Sequence, residues 1–194
     1  MVDKKTKITE SLTALLTHVP SSSYEKSPNP VLAAQKIIEK SAWMAGGVSG
    51  ALAVPVGPLG MMTVVPDLVA VWRIQAQMVS DIAAVYGKST VLTRETLVYC
   101  LFQEGAGQLF RDVIVRAGDR IVLRRTSARV FENLIEKLGI RLSKRFLGKS
   151  ISRWIPIAGA IAVGWYSRHD TQHVGYVTMD FFSQSIFEES QDPE

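Results

Sequence analysis

The sequence predicts an all-α protein: a single-domain helical bundle around a central apolar helix pair that is interrupted by glycine and proline. Three observations predict it. From Ser41 to Pro66 no side chain is charged, and Ala42, Gly46 and Gly50 recur there at the four-residue spacing that lets another backbone approach closely. A second chargeless stretch, Trp154 to Ser167, repeats the theme with Ala160 and Gly164. No period-two alternation marks a strand, whereas helical periodicity recurs along the chain. A length of 194 residues suits one sizeable core and is short for two domains.

Residues 1–28 read as a partly flexible leader, with a short amphipathic segment (Ile8 to His18) followed by the turn-rich PSSSYEKSP. Asn29 and Pro30 then form a helix start, because Asn caps and Pro suits the first helical position, where its missing N–H would be unpaired anyway. The helix extends to about Leu52. Its two glycines each cost about 1 kcal/mol relative to Ala, which points to a gain from close packing. VPVGPLG (Val54 to Gly60) is too rich in Pro and Gly for a helix interior.

Pro66 restarts the helix and Gly87 ends it in the left-handed conformation. Leu68, Trp72, Gln75, Val79, Ile82 and Tyr86 share one face of this helix. It is apolar nearly all round, which marks a central helix. Thr93 caps a further helix (Arg94 to Glu104). Helical patterns continue over 108–116, 121–123, 127–138 and 141–153, with Gly139 as the stop between the last two. The final helix starts near Pro156 and is expected to run to Glu189. Residues 29–189 thus form the helical domain, and 190–194 a frayed tail.

A single cysteine, Cys100, excludes an internal disulfide and fits a reducing compartment. The N-terminus lacks the apolar core of a secretory signal. No run of about 18 apolar residues is free of Pro and Gly. Both point to a cytoplasmic protein, peripheral to the inner face of the membrane. The net charge of +4 is unevenly spread: residues 116–149 carry ten Lys or Arg against three acids, and 150–194 carry two Arg against six acids. Such a basic block suits an anionic surface.

The segments PVGPLGMMTVVPDLVAVWRIQAQMVSDIAAVYG (55–87) and RWIPIAGAIAVGWYSRHDTQHVG (153–175) together resemble the EcsC family over roughly residues 40–185. The shared features are a Pro/Gly-rich apolar turn, a Pro-Asp helix start, an IQ-type polar centre, an IA-x-x-YG end and, later, Pro156-Ile157-Ala158-Gly159-Ala160. The resemblance implies an all-helical protein in a membrane context, since the family is named for a gene in a bacterial transporter operon. It supplies no active site to transfer.

Several patterns carry candidate chemistry. SKRFLGKS (Ser143 to Ser150) and IAAVYGKST (Ile82 to Thr90) imitate a phosphate-binding loop, but neither has the preceding strand or the first glycine. GVSGA (Gly47 to Ala51) imitates the nucleophile elbow of serine hydrolases with Ser49, but inside a helix. His169 and His173 share a helix face as weak metal candidates, with no further ligand at workable spacing. No motif calls for a cofactor. Asp67, Arg73, Gln77 and Asp81 form a polar ladder on an apolar helix. With Pro55, Gly57, Pro58 and Gly60 it reads as the polar floor of an apolar pocket.

Arg124, Arg125, Arg129, Arg141, Lys144 and Arg145 offer an anion-binding surface. The scarcity of interleaved aromatics and of a reading motif favours lipid headgroups over nucleic acid. The expected function is therefore a non-enzymatic peripheral membrane or lipid-binding protein, accessory to a membrane transporter. Two alternatives stand beside it: a hydrolase-type enzyme around Asp67, Arg73, Gln77 and Asp81, and an interaction module docking through residues 116–149. The oligomeric state is not legible.

Overall fold

Asn29 opens the first long core helix. Its side-chain Oδ1 accepts the backbone N–H of Leu32 at 3.1 Å, and its carbonyl accepts that of Ala33 at 3.1 Å. The computed structural model describes residues 2–52, 64–110, 113–117, 120–124, 126–147 and 156–189. Among these, the helices are α1 (Val2–Thr17), α2 (Pro30–Leu52), α3 (Val64–Val85), α4 (Arg94–Ala106), α5 (Ala128–Leu147) and α6 (Pro156–Ser183). Single 3-10 turns cover Ser89–Val91 and Gly107–Phe110. The molecule is an all-α, single-domain bundle, as the sequence predicts.

The central helix is α3, packed by α1, α2, α4 and α6. Trp72, Gln75, Val79 and Ile82 on its expected inner face are all buried. Gly87 ends its turn at φ 69°, a conformation that favours glycine. Thr93 caps α4, its hydroxyl accepting the N–H of Thr96 at 3.3 Å. Trp72–Phe102 and the Phe110–Tyr99–Phe181–Phe182 chain join α3, α4 and α6 through edge-on and tilted ring contacts of 5.2–5.8 Å.

The leader is part of this core. Leu12 and Leu16 of α1 are 0% and 1% exposed, and α1 lies against α5. Gly139 does not stop a helix, because α5 runs through it as one element. A Cβ at this position would strike the Thr9 hydroxyl, so the glycine lets α1 settle on α5.

The sequence reading missed a small sheet. Residues expected as helix form β1 (Ile114–Ala117) and β2 (Arg120–Arg124), an antiparallel pair with Ile114 opposite Leu123 and Ala117 opposite Arg120. The final helix stops at Ser183, and β3 (Ser185–Glu189) pairs parallel to β2. The strands form because their inward positions reach the core: Ile114, Ile121 and Leu123 are buried, while the intervening Val115 is exposed. The dipeptide Gly118-Asp119 between two β-branched runs is a hairpin signal that could have found them.

Helices α2 and α6 pack antiparallel through their glycines. A Cβ on Gly46 would lie 2.9 Å from the Gly164 carbonyl oxygen, and one on Gly164 would lie 2.7 Å from that of Gly46. Gly47, one position along, has nothing within 4 Å of such a Cβ. Gly164→Ala is therefore expected to cost about 1–3 kcal/mol through backbone displacement. Gly47→Ala should be neutral or stabilise by up to about 1 kcal/mol. Thermal melting checks the pair, at about 2–4 °C per kcal/mol for a chain of this size.

Candidate functional site

The register of the three central helices gathers the described parts of the two chargeless stretches, residues 41–52 and 156–167, at one end of the bundle. Helix α2 ends there at Leu52, and α3 and α6 begin there at Val64 and Pro156. Ser49 bonds both Asp67 of α3 and Ser167 of α6, and Gln75, farther along α3, meets Asp170 and Thr171, farther along α6, so α3 runs parallel to α6. The expected turn residues Pro55, Gly57, Pro58 and Gly60 lie outside the described residues.

A polar seam runs between these helices. The buried Ser49 hydroxyl donates to Asp67 Oδ1 at 2.7 Å and sits 3.0 Å from Ser167 Oγ. A hydroxyl has one proton, so the Ser167 hydroxyl is the donor in the second bond. Gln75, 1% exposed, donates through Nε2 to Asp170 Oδ2 at 2.9 Å and to Thr171 Oγ1 at 3.2 Å. Ser49 is thus a structural hydrogen-bonding group inside α2, not an exposed nucleophile on a strained turn.

The polar ladder does not form one site. Gln77 Nε2 and Ser22 Oγ both donate to Asp81 Oδ1, at 2.9 and 2.7 Å, and Gln77 also donates to the Ser21 carbonyl at 3.0 Å. Ser80 donates to the Pro20 carbonyl at 2.6 Å. Together these bonds strap the segment after α1 onto α3. Asp67 lies fourteen residues away, about 21 Å along the helix, and joins Ser49 instead. Arg73 is exposed. Among the described residues the four ladder side chains share no common site.

Lys88, the lysine of one loop-like pattern, is also occupied. Its ammonium donates to the carbonyls of Phe182 and Gln184, both at 2.6 Å, at the C-terminus of α6. It meets orphan carbonyls and the negative end of the helix dipole. Burial pulls its pKa below the ordinary lysine value.

On the outer side of the α2–α6 seam, Arg168 lies between two indoles. Its Cζ is 4.3 Å from the Trp43 ring centroid and 5.6 Å from that of Trp165. Its guanidinium pairs with Glu39 Oε1 at 2.8 Å, and Gln172 Nε2 donates to Glu39 Oε2 at 3.1 Å. The Arg168 hydrogen bond holds the Glu39 carboxyl below its ordinary pKa.

Around this cluster large apolar groups face outward: Trp43 is 61% exposed, Ile161 68%, Trp165 65% and Tyr166 54%. Ile161, Ala162, Trp165, Tyr166 and His169 form one open, nearly apolar face. These residues come from one helix, which describes a surface and not an enclosing ligand pocket.

The basic segment is described in part. Arg129 and Arg141 on α5 are exposed. Lys144 and Arg145 lie on the last turns of α5, Arg124 ends β2, and Arg125 lies outside the described residues. Helix α5, which carries Arg129 and Arg141, packs against α1 and α4. His169 and His173 are exposed on α6, and among the described residues no group of three or more His, Cys, Asp or Glu is placed to hold a metal ion. Sequence reasoning missed the aromatic patch. Its signal was Trp43 and Trp165-Tyr166 set inside the two chargeless stretches.

Among the described residues one helical segment, Pro66–Val85, is long and apolar enough to cross a membrane, but 61% of its apolar window is buried inside the bundle. No family model, curated protein or solved structure matches the chain, so the EcsC resemblance stands on its motifs alone.

If Ser49 and Asp67 act as one unit, their effects on stability will not add. A double-mutant cycle of Ser49→Ala and Asp67→Ala, read by chemical denaturation, should give a coupling of about 0.5–2 kcal/mol. A coupling within error of zero would contradict the seam.

Proposed function

We propose that this protein is a non-enzymatic peripheral membrane protein that binds an anionic lipid surface through the outer face of the α2–α6 pair. The observation that carries the reading is the exposed patch of Trp43, Ile161, Trp165 and Tyr166, set where two chargeless stretches meet. Trp and Tyr favour the boundary between water and hydrocarbon, where one end of each ring is apolar and the other wet. Exposed apolar clusters of this kind are uncommon on soluble monomers and mark contact surfaces.

Most polar groups nearest the patch are engaged with one another, and Arg168 Nε is the buried atom among them that has no partner. Glu39 holds Arg168, and Ser49, Asp67 and Ser167 bond across the helices. Hydrocarbon would therefore meet few unsatisfied groups. The net charge of +4 adds attraction to anionic lipid. A membrane transporter as partner rests on the EcsC resemblance.

Flotation with phosphatidylglycerol-containing vesicles tests the reading. The native protein should float with the vesicles, and Ile161→Ser with Trp165→Ser should bind at least about tenfold more weakly, since each buried side chain contributes about 1.5–3 kcal/mol. The melting temperature should hardly change, because both side chains are mostly exposed. Native protein that stays with the soluble fraction would sink the proposal. A double variant that turns a dimer into a monomer would assign the patch to a second copy of the chain.

A further inference from the structure

The geometry of the patch says how it would meet a bilayer. Trp43, Gly47 and Ala51 recur every four residues and are all exposed, forming one stripe along α2. Ile161 and Trp165 form the matching stripe on α6, with Ala162 and Tyr166 beside it. Trp43 and Trp165 both lie against Arg168, so the two stripes flank the same seam and face the same way. No member of either stripe is charged.

The α2 stripe spans nine residues, about 12 Å from Trp43 to Ala51, against a hydrocarbon core of about 30 Å. It continues into Lys40 and Lys36, both exposed. The neighbouring acid, Glu39, is held by Arg168 and Gln172. A bundle driven end-on to the depth of this strip would carry Asp67, bonded to Ser49 near the same end, into hydrocarbon, at several kcal/mol by general scales. A bundle lying on its side sets Lys36 and Lys40, beyond the end of the strip, level with the lipid phosphates.

We infer that the protein lies side-on in a single leaflet, with the α2–α6 face sunk to the depth of an interfacial helix, about 5–10 Å, and Lys36 and Lys40 against lipid phosphates. The inference rests on the lipid-binding reading and adds its orientation, depth and headgroup contact.

The test uses full-length protein carrying an environment-sensitive fluorophore at Met44→Cys, Ala51→Cys, Ala162→Cys or, as a control on α5, Glu132→Cys. Native Cys100 is buried and is expected to stay unlabelled. Vesicles carry doxyl quenchers at carbon 5 or carbon 12 of the acyl chain. Side-on seating predicts that labels at 44, 51 and 162 are quenched alike, all more strongly by the 5-doxyl lipid, and that the label at 132 is unaffected. A label at 51 quenched best by the 12-doxyl lipid, beside a shallow label at 44, would overturn the orientation while leaving lipid binding intact. Vesicle flotation on the same samples separates this from loss of binding, which would overturn both. Lys36→Glu with Lys40→Glu should weaken binding to phosphatidylglycerol vesicles at least about tenfold, and an unchanged affinity would remove the phosphate contact.

Discussion

The close approach of Gly46 and Gly164 is the constraint on which the other features depend. At that point α2 and α6 are separated by little more than backbone, and a single Cβ on either glycine would press on the opposing carbonyl. The glycines carry a cost in helix propensity, and the contact offsets it by bringing two chargeless surfaces together. The same crossing sets Ser49 against Ser167 and Asp67, and it places Trp43 and Trp165 on either side of Arg168. Polar groups are thereby drawn inward and paired, while the aromatic groups are left outside.

This division explains why the surface reads as a contact site and the interior does not. A hydrolytic site needs a group that is both reactive and reachable. Ser49 is buried and bonded, Gln77 and Asp81 hold the segment after α1, and Lys88 closes the end of α6. Each has a structural task that its hydrogen bonds state directly. The tryptophans flank Arg168 while most of each ring stays exposed, as does Ile161, and this is the face proposed to meet lipid.

The helical framework was legible because its signals are local. Asn29-Pro30 begins α2, Pro156 begins α6 and Gly87 ends the turn after α3, each through backbone chemistry read within a few residues. The sheet was not legible, because β2 takes β3 as partner from about sixty residues downstream and each strand has only four or five residues. Gly139 was misread because its neighbour, Thr9, comes from the other end of the chain. The ladder on α3 was seen as a set of spacings, but its role depended on which segment lay across Gln77 and Asp81. The aromatic patch required the register of α2 against α6, which no single-helix pattern contains.

Hydrogen–deuterium exchange of the native protein with and without phosphatidylglycerol vesicles tests the central claim most directly, because it needs no substitution. Slower exchange on vesicle addition, centred on residues 43–52 and 161–169 and absent from the 114–124 hairpin, is the result this account predicts. Unchanged exchange in both helical segments, or protection centred on the hairpin, would contradict it.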